Sequence, residues 1–251
     1  MAHISKSAFV KGVQCAKQLY LYKNNYSQRD PLSADEQVRF KRGVDVGVLA
    51  QKLFPNGKDL SPQSPWAYKQ ATAITRHFLE QGEKHVYEAS FLYNGLYAIM
   101  DIVVNDNGTL KLYEVKNTRS VKEQHIVDAS FQYYVITQSG FKVDSVAIIY
   151  PNRSLDDYED AMPLTELFEV EDITERIVAQ QLSIALQTEY FIGMVGEANP
   201  PAIDIGNQCF RPYACGFMHT CWANAHKADV EAVVGDNLNY QEILLQKNIG
   251  L

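Results

Sequence analysis

The 251-residue sequence predicts an α/β fold: a mixed sheet led by a three-stranded antiparallel unit, with helices on its faces. Three observations carry this reading. Residues 86–116 alternate apolar and polar side chains through three runs, separated by Asn94-Gly95 and by Asn105-Asp106-Asn107-Gly108. Asn-Gly between alternating runs is the strongest short hairpin signal. Serine-led capping signals, Ser33 with Glu36 and Ser120 with Glu123, open helices before and after those strands. The apolar run Val143–Tyr150 follows the later helix, as expected when a helix crosses over to a further strand of one sheet.

In chain order, Ser5 or Ser7 caps a first helix over 8–25, with Cys15 in its middle. A connector through Arg29–Leu32 leads to the helix opened by Ser33, whose apolar positions are Val38, Phe40, Val44, Val48, Leu49 and Leu53. Gly43 and Gly47, one turn apart, predict close packing against another backbone, and Pro55-Asn56-Gly57 ends the helix. Ser64-Pro65 reads as an N-cap and first-turn proline for a helix reaching Gln81-Gly82. The strands Val86–Tyr93, Leu96–Val104 and Thr109–Lys116 come next. A helix over Val121–Ser139, stopped by Gly140, puts His125, Asp128, Gln132 and Ile136 on one face. After the strand 143–150 come Pro151-Asn152, an acidic loop Asp156–Asp160, and a long helix Asp172–Val195. A loop-rich segment with three cysteines follows.

The registers bring charges together. With Asn94 and Gly95 as central turn residues, Glu88 lies opposite Asp101. A two-residue second loop pairs Asp101 with Glu114, and a four-residue loop pairs it with Leu112. Either even loop puts Asp101, Glu114 and Lys116 on one face, while a three-residue loop turns Glu114 away. Three carboxylates and a lysine on one face are costly unless a cation compensates. A hard divalent cation with oxygen ligands does so, and with an adjacent lysine it suits phosphodiester hydrolysis. The competing reading is a solvated sheet face carrying ordinary charges.

Composition is that of a globular chain with a sizeable core, and no apolar run reaches membrane-spanning length. The N-terminus lacks the apolar core of a secretory signal, so the expectation is a soluble, cytoplasmic protein. The net charge of −7 is segregated: residues 1–58 hold ten Lys/Arg against four Asp/Glu, and residues 144–204 hold two Arg against thirteen Asp/Glu. A basic end allows a local positive groove for a polyanion despite the total; the alternative is plain solvated helix faces. Without a secretion signal, Cys15, Cys209, Cys215 and Cys221 point to metal ligation or inert buried thiols rather than disulfides.

The order helix, hairpin strands, Asp101, Glu114-Val115-Lys116, helix with Gln132, strand resembles the PD-(D/E)XK nuclease superfamily. A lone cysteine on the first helix and three after the core, with five residues between neighbours, look like its RecB-like iron–sulfur branch. That branch includes CRISPR-associated exonucleases and the nuclease domains of helicase–nucleases. The segments ISKSAFVKGVQCAKQLYLYK, GVDVGVLAQKLFP and YEVKNTRSVKEQHIVDASFQYYV are similar to a bacterial group of RecB-like nucleases, and the resemblance covers roughly residues 3–225. This sequence departs from many relatives at Asp45 and Gly47, where they carry a histidine, and at Ile136, where they carry a tyrosine.

The resemblance implies a restriction-endonuclease-like mixed sheet flanked by helices, with a cysteine-bearing helical cap formed by the N- and C-terminal regions. It divides one integrated domain into an N-terminal helical region (1–82), a nuclease core (83–160) and a C-terminal helix with the cysteine cap (161–251). It implies a metal-dependent DNA exonuclease in which Asp101, Glu114 and the Val115 carbonyl hold Mg2+ or Mn2+ and Lys116 orients the nucleophile, while the strand register nominates Glu88 as the third metal ligand or as a residue that orients the ligands. Gln132 and a neighbouring tyrosine hold the substrate strand, DNA that is single-stranded or has a free end, and Lys and Arg of the first two helices contact phosphates. Cys15, Cys209, Cys215 and Cys221 hold a [4Fe–4S] cluster, with Zn2+ the runner-up; C-x5-C spacing does not form a zinc knuckle, although His219 and His226 are further candidate ligands. The alternatives are a DNA-binding module with a decayed site and a redox iron–sulfur or zinc protein on the same scaffold.

Overall fold

A computed structural model describes residues 4–31, 44–64, 66–152, 163–223, 225–247 and 249. The chain divides into two units. The first comprises the described residues within His3–Lys6 and Asp35–Leu186, and the second those within Ser7–Ala34 and Gln187–Leu251. These boundaries do not coincide with 1–82, 83–160 and 161–251.

The first unit is built on a seven-stranded mixed sheet. Its strands are β1 (Ile4–Ser5), β2 (Lys58–Asp59), β3 (His85–Tyr93), β4 (Leu96–Asp106), β5 (Thr109–Val115), β6 (Lys142–Pro151) and β7 (Phe168–Asp172). The order is β2-β3-β4-β5-β6-β7, and β1 adds to β4. The α/β expectation holds. The antiparallel β3-β4-β5 meander is made by two Asn-Gly turns with φ of 43° and 79° at Asn94 and Gly95, and 52° and 90° at Asn107 and Gly108. Positive φ at both central residues is the turn whose twist matches the flanking strands.

One sheet face carries Tyr87, Ile102, Tyr113 and Ile149, covered by Val46 and Ala50 of helix α3 (44–51), by Leu167 at the end of α6 (Leu164–Leu167) and by Phe168. The other face receives α4 (Tyr68–Glu80) and α5 (Glu123–Gln138). Thr75 of α4 accepts the Ser90 N–H at 2.9 Å, and Asn105 donates to the Leu79 carbonyl at 2.9 Å. Each fully buried Ile, Leu or Phe between these layers contributes roughly 1.5–3 kcal/mol. The crossover through α5 makes β6 parallel to β5, and Gly140 (φ 97°) ends that helix as anticipated.

Several elements differ from the sequence reading, each for a local reason. Asn105 belongs to β4, not to the second turn, because its side chain is buried, accepting the Gly108 N–H at 2.9 Å. Helix α5 starts at Glu123 rather than Val121, because His125 Nδ1 accepts the Lys122 N–H at 3.2 Å and fixes the cap there. In place of one helix over 172–195 there are two, α7 (Thr174–Ala179) and α8 (Gln181–Met194), and Asp172 is the last residue of β7, a strand in a stretch the sequence left unassigned. The Asp172 carboxylate accepts the Thr174 N–H at 2.8 Å, closing the strand and opening α7. Helix α4 begins at Tyr68, after a turn in which Ala67 N–H reaches the Ser64 carbonyl. Among the described residues nothing lies within 4 Å of where a Cβ on Gly47 would sit. The Ser33–Glu36 capping box, Gly43, Pro65 and the acidic loop Asp156–Asp160 lie outside the described residues.

The second unit is helical and draws on both chain ends. It contains most of α1 (Lys6–Gln14), then α2 (Ala16–Asn24), the last part of α8, α9 (Met218–Trp222), α10 (Lys227–Val234) and α11 (Leu238–Gln246). The single helix expected over 8–25 is two, because Cys15 is extended (φ −163°, ψ 117°). The core joins Leu21, Phe210, Phe217, Met218, Trp222, Val234, Tyr240 and Leu244 to Cys209 and Cys215. No helix among the described residues is long and apolar enough to cross a membrane.

Candidate functional site

The strand registers deliver the carboxylates. Pairs flanking Glu88, Tyr87↔Ile102 and Ala89↔Met100, keep one register, so Glu88 faces Asp101 across β3-β4. The β4-β5 ladder runs from Asp106↔Thr109 to Ile102↔Tyr113, and one step further sets Asp101 against Glu114. The second loop is therefore the two-residue one. Along β5 the buried positions are Leu110, Leu112 and Glu114, so Glu114 projects into the core under α5, with 1 % exposure.

A buried carboxylate needs partners, and Glu114 has three. Lys6 Nζ and Lys116 Nζ both donate to its Oε1, at 2.6 and 2.8 Å. Gln132, one of the innermost residues of α5, donates to its Oε2 at 2.7 Å and to the Ile99 carbonyl at 2.7 Å. Lys116 is held a second time by Asp128, at 2.5 Å, one helical turn before Gln132 on α5. Asp101 Oδ2 accepts the Val115 N–H at 2.7 Å. The structure thus brings Asp101, Glu114, Val115, Lys116 and Gln132 together. Gln132 is buried against Glu114 rather than open to a substrate strand, and its Oε1 has no hydrogen-bond partner among the described residues. Of the two tyrosines beside it, Tyr134 packs edge-on against Tyr93, with centroids 6.2 Å apart.

Electrostatics follow from this packing. Burial would raise the Glu114 carboxyl, but the Lys116 and Lys6 ammonium groups outweigh it and hold it down. Burial, then the Glu114 charge, push Asp101 up to about 6. Burial, then the charges of Asp101 and Glu114, push Glu88 up to about 7. Burial opposes charge on Lys116, yet Glu114 and Asp128 hold it protonated, well above the usual lysine range. His125, on the same helix, is lowered to about 4 by burial and by Lys116. Glu88 also has a φ of 52° in the middle of a strand, a conformation rare for a residue with a Cβ.

Two residues here were not identified as site residues from sequence. Asp128 was placed on the Gln132 face, and its i, i+4 relation to Gln132 was the available signal. Lys6 offered none. It follows β1, a two-residue strand with no periodicity, paired as Ile4↔Leu96 and Ser5↔Tyr97. Since β3 occupies one edge of β4 at Leu96 and Tyr97, β1 takes the edge that β5 uses further along. The ends of β1 and β5 therefore meet, and Lys6 and Lys116 flank Glu114.

In the second unit all four cysteines line one cavity of about 20 Å³, with Lys17, Gln18, Leu21, Ile203, Ile205 and Phe217 among its walls. That is far below the few hundred Å³ of an organic-ligand pocket. Cys15 reaches it because the chain breaks between α1 and α2. Gln14 Nε2 donates to the Gln208 and Tyr213 carbonyls at 2.7 and 2.8 Å, tying the end of α1 to the loop of Cys209 and Cys215. Buried Asp30 accepts the Met218 N–H at 3.1 Å, fixing the start of the helix that carries Cys221. Burial, together with the neighbouring thiols, pushes Cys215 up to about 12. His219 pairs with Asp30 at 3.1 Å, and neither it nor His226 lines the cavity. Among the described residues, no three or more His, Cys, Asp or Glu stand as a preformed metal cage.

No protein-family model matches the chain, and no curated protein does. Among solved structures the chain is similar to a phage-related exonuclease from Haemophilus somnus 129PT. The likeness spans 68 % of this chain and 92 % of that one, at 11 % identity and a TM-score of 0.29. At that identity and TM-score it carries no weight for function, which rests on the site geometry.

Proposed function

We propose that this chain is a divalent-metal-dependent nuclease that hydrolyses phosphodiester bonds in DNA, acting as an exonuclease on a single strand or a free end. The observation that carries the reading is the convergence of Asp101, Glu114 and Lys116 at one point of the sheet, braced from α5 by Gln132 and Asp128. An ordinary solvated sheet face would leave these side chains in water; here Glu114 is 1 % exposed.

The donor set fits a hard cation. Ionised Glu88, Asp101, Glu114 and Asp128 outnumber Lys6 and Lys116 by two charges, and Glu88 and Asp101 are raised first by burial and then by the neighbouring carboxylates. Asp101, Glu114 and the Val115 carbonyl would hold Mg2+ or Mn2+, with Glu88 beside them; two protein carboxylates plus waters are a usual set for Mg2+. Bound there, the cation supplies Lewis acidity and lowers the pKa of a water. The protein does the rest. Lys116, fixed by Glu114 and Asp128, holds one geometry from which its ammonium orients a nucleophile. Gln132 fixes the Glu114 carboxylate plane.

The four thiols that line one cavity support a structural [4Fe–4S] cluster at Cys15, Cys209, Cys215 and Cys221, since four thiolates are the usual complement of a cluster. Zn2+ is the alternative that metal analysis separates.

The test uses anaerobically purified protein and end-labelled single- and double-stranded DNA, with Mg2+, Mn2+ or chelator. Cleavage that needs the cation, and is lost in Lys116→Ala and Asp101→Ala, supports the reading. If both variants degrade DNA at the parent rate, the activity lies elsewhere. Binding of DNA without cleavage would favour a decayed site, and a reversible redox signal with no cleavage an electron-transfer protein.

A further inference from the structure

Lys6 is the one residue of the carboxylate cluster contributed by the start of the chain. Its Nζ lies 2.6 Å from Glu114 Oε1, the same atom that Lys116 takes at 2.8 Å. A carboxylate oxygen offers about two lone-pair sites, so two ammonium donors fill this one. Gln132 takes one of the two sites on the other oxygen. A cation reaching Oε1 must therefore dislodge a lysine. The two are not equally held: Lys116 keeps a second ion pair, with Asp128 at 2.5 Å, whereas Glu114 is the one carboxylate that Lys6 bonds among the described residues.

We propose that Lys6 acts as a built-in counter-ion that occupies the cation's position on Glu114 in the metal-free protein and yields it when a divalent cation binds. This rests on reading the site as metal-dependent. The placement favours such exchange. Lys6 stands at the junction of β1 and α1, with β1 fixed to β4 by Ile4 N–H to the Gly95 carbonyl at 2.8 Å. The backbone is anchored, and the long side chain alone has to swing. Freed, the ammonium remains within one side-chain length of Glu114, where a phosphate oxygen is its natural partner, since lysine binds phosphate as a point charge. Lys6 is thus a positioning residue that keeps buried Glu114 ionised and ready, at the expense of metal affinity.

Mn2+ titration without DNA, followed by the electron paramagnetic resonance of free Mn2+, tests this on the full chain. Lys6→Met and Lys6→Gln both remove the competing charge. Each should bind Mn2+ about tenfold more tightly than the parent, as loss of a competitor worth about 1.4 kcal/mol implies. Lys6→Arg, which keeps the charge, should stay near the parent. At saturating Mn2+ the neutral variants should cleave with lower kcat and little change in KM. A merely structural ion pair predicts the opposite, Mn2+ binding unchanged or weaker alongside a lower melting temperature, and that result overturns the proposal. If Lys6→Met does not fold, Lys6→Gln and Lys6→Arg still decide it. Failure of the parent to bind Mn2+ would instead overturn the metal-dependent reading itself, and Asp101→Ala is the control for that outcome.

Discussion

Replacing Gln132 with leucine isolates the brace on Glu114. The amide donates to a buried, ionised carboxylate at 2.7 Å, and a bond to a charged group contributes about 1.5–3 kcal/mol. It also donates to the Ile99 carbonyl at 2.7 Å, and stranding that acceptor costs about 1–3 kcal/mol. Against these stands a gain. Gln132 Oε1 is buried without a partner, and removing it recovers about 1–3 kcal/mol. Two losses against one gain leave a net destabilisation of about 2 kcal/mol, or roughly 4–8 °C of melting temperature at this chain length. Gln132→Glu should be worse at neutral pH, because it sets a second carboxylate beside Glu114, and should recover as pH falls. Calorimetry reads the stability, and Mn2+ titration the carboxylate. Parent-like melting and parent-like Mn2+ affinity in Gln132→Leu would refute the claim that this amide holds Glu114 in place.

Three further outcomes are expected. Cys15→Ala should lose iron and melting temperature together, since its thiol lines the shared cavity; full iron content with unchanged melting would refute the cluster assignment. Glu88→Gly should gain about 1 kcal/mol, because relief of a positive φ outweighs the added freedom of the unfolded chain, while its Mn2+ affinity falls; melting and titration read both. His125 should make stability fall as pH drops from 6.5 towards 4. Its folded pKa lies below its unfolded value, so the unfolded chain takes up the extra proton in that window. Raised Glu88 and Asp101 act with the opposite sign there, so the measurement is the difference in melting temperature against pH between the parent and His125→Gln.

The meander was legible because its signals are local. Two Asn-Gly pairs set both turns, and a period of two then fixes which residues share a face, so Glu88, Asp101 and Glu114 followed from counting alone. Asn105 was misplaced because a polar residue beside Asp-Asn-Gly reads as loop, while its true role, bonding the Leu79 carbonyl and the Gly108 N–H from a buried position, depends on a distant helix. The strand β7 went unread, because it lies in the unassigned stretch just before the helix expected from Asp172. Its edge residues, exposed Glu169 and Val170 and half-buried Glu171, show little amphipathic contrast, and pairing with β6 decides their conformation. The break at Cys15 was equally invisible, since nothing in its neighbours forbids a continuous helix.

What sequence could not show is how the site is stabilised. An ionised carboxylate with 1 % exposure, a buried amide oxygen without a partner and a strand residue at φ 52° each break a local rule. Asn56, Asn94 and Asn107, the other positive-φ side chains among the described residues, are asparagines, which tolerate that conformation. Glu88 alone adopts it within a strand, facing Asp101. These costs fall on three residues that meet across β3, β4, β5 and α5, while the apolar faces around them are packed and the hairpin turns are unstrained. Unfavourable features concentrated at one point of an otherwise consistent fold are what a functional site is expected to show, in line with the activity proposed for this cluster. Lys6 and Lys116 make the arrangement tolerable without cancelling it. The carboxylate excess that remains is what a divalent cation would neutralise.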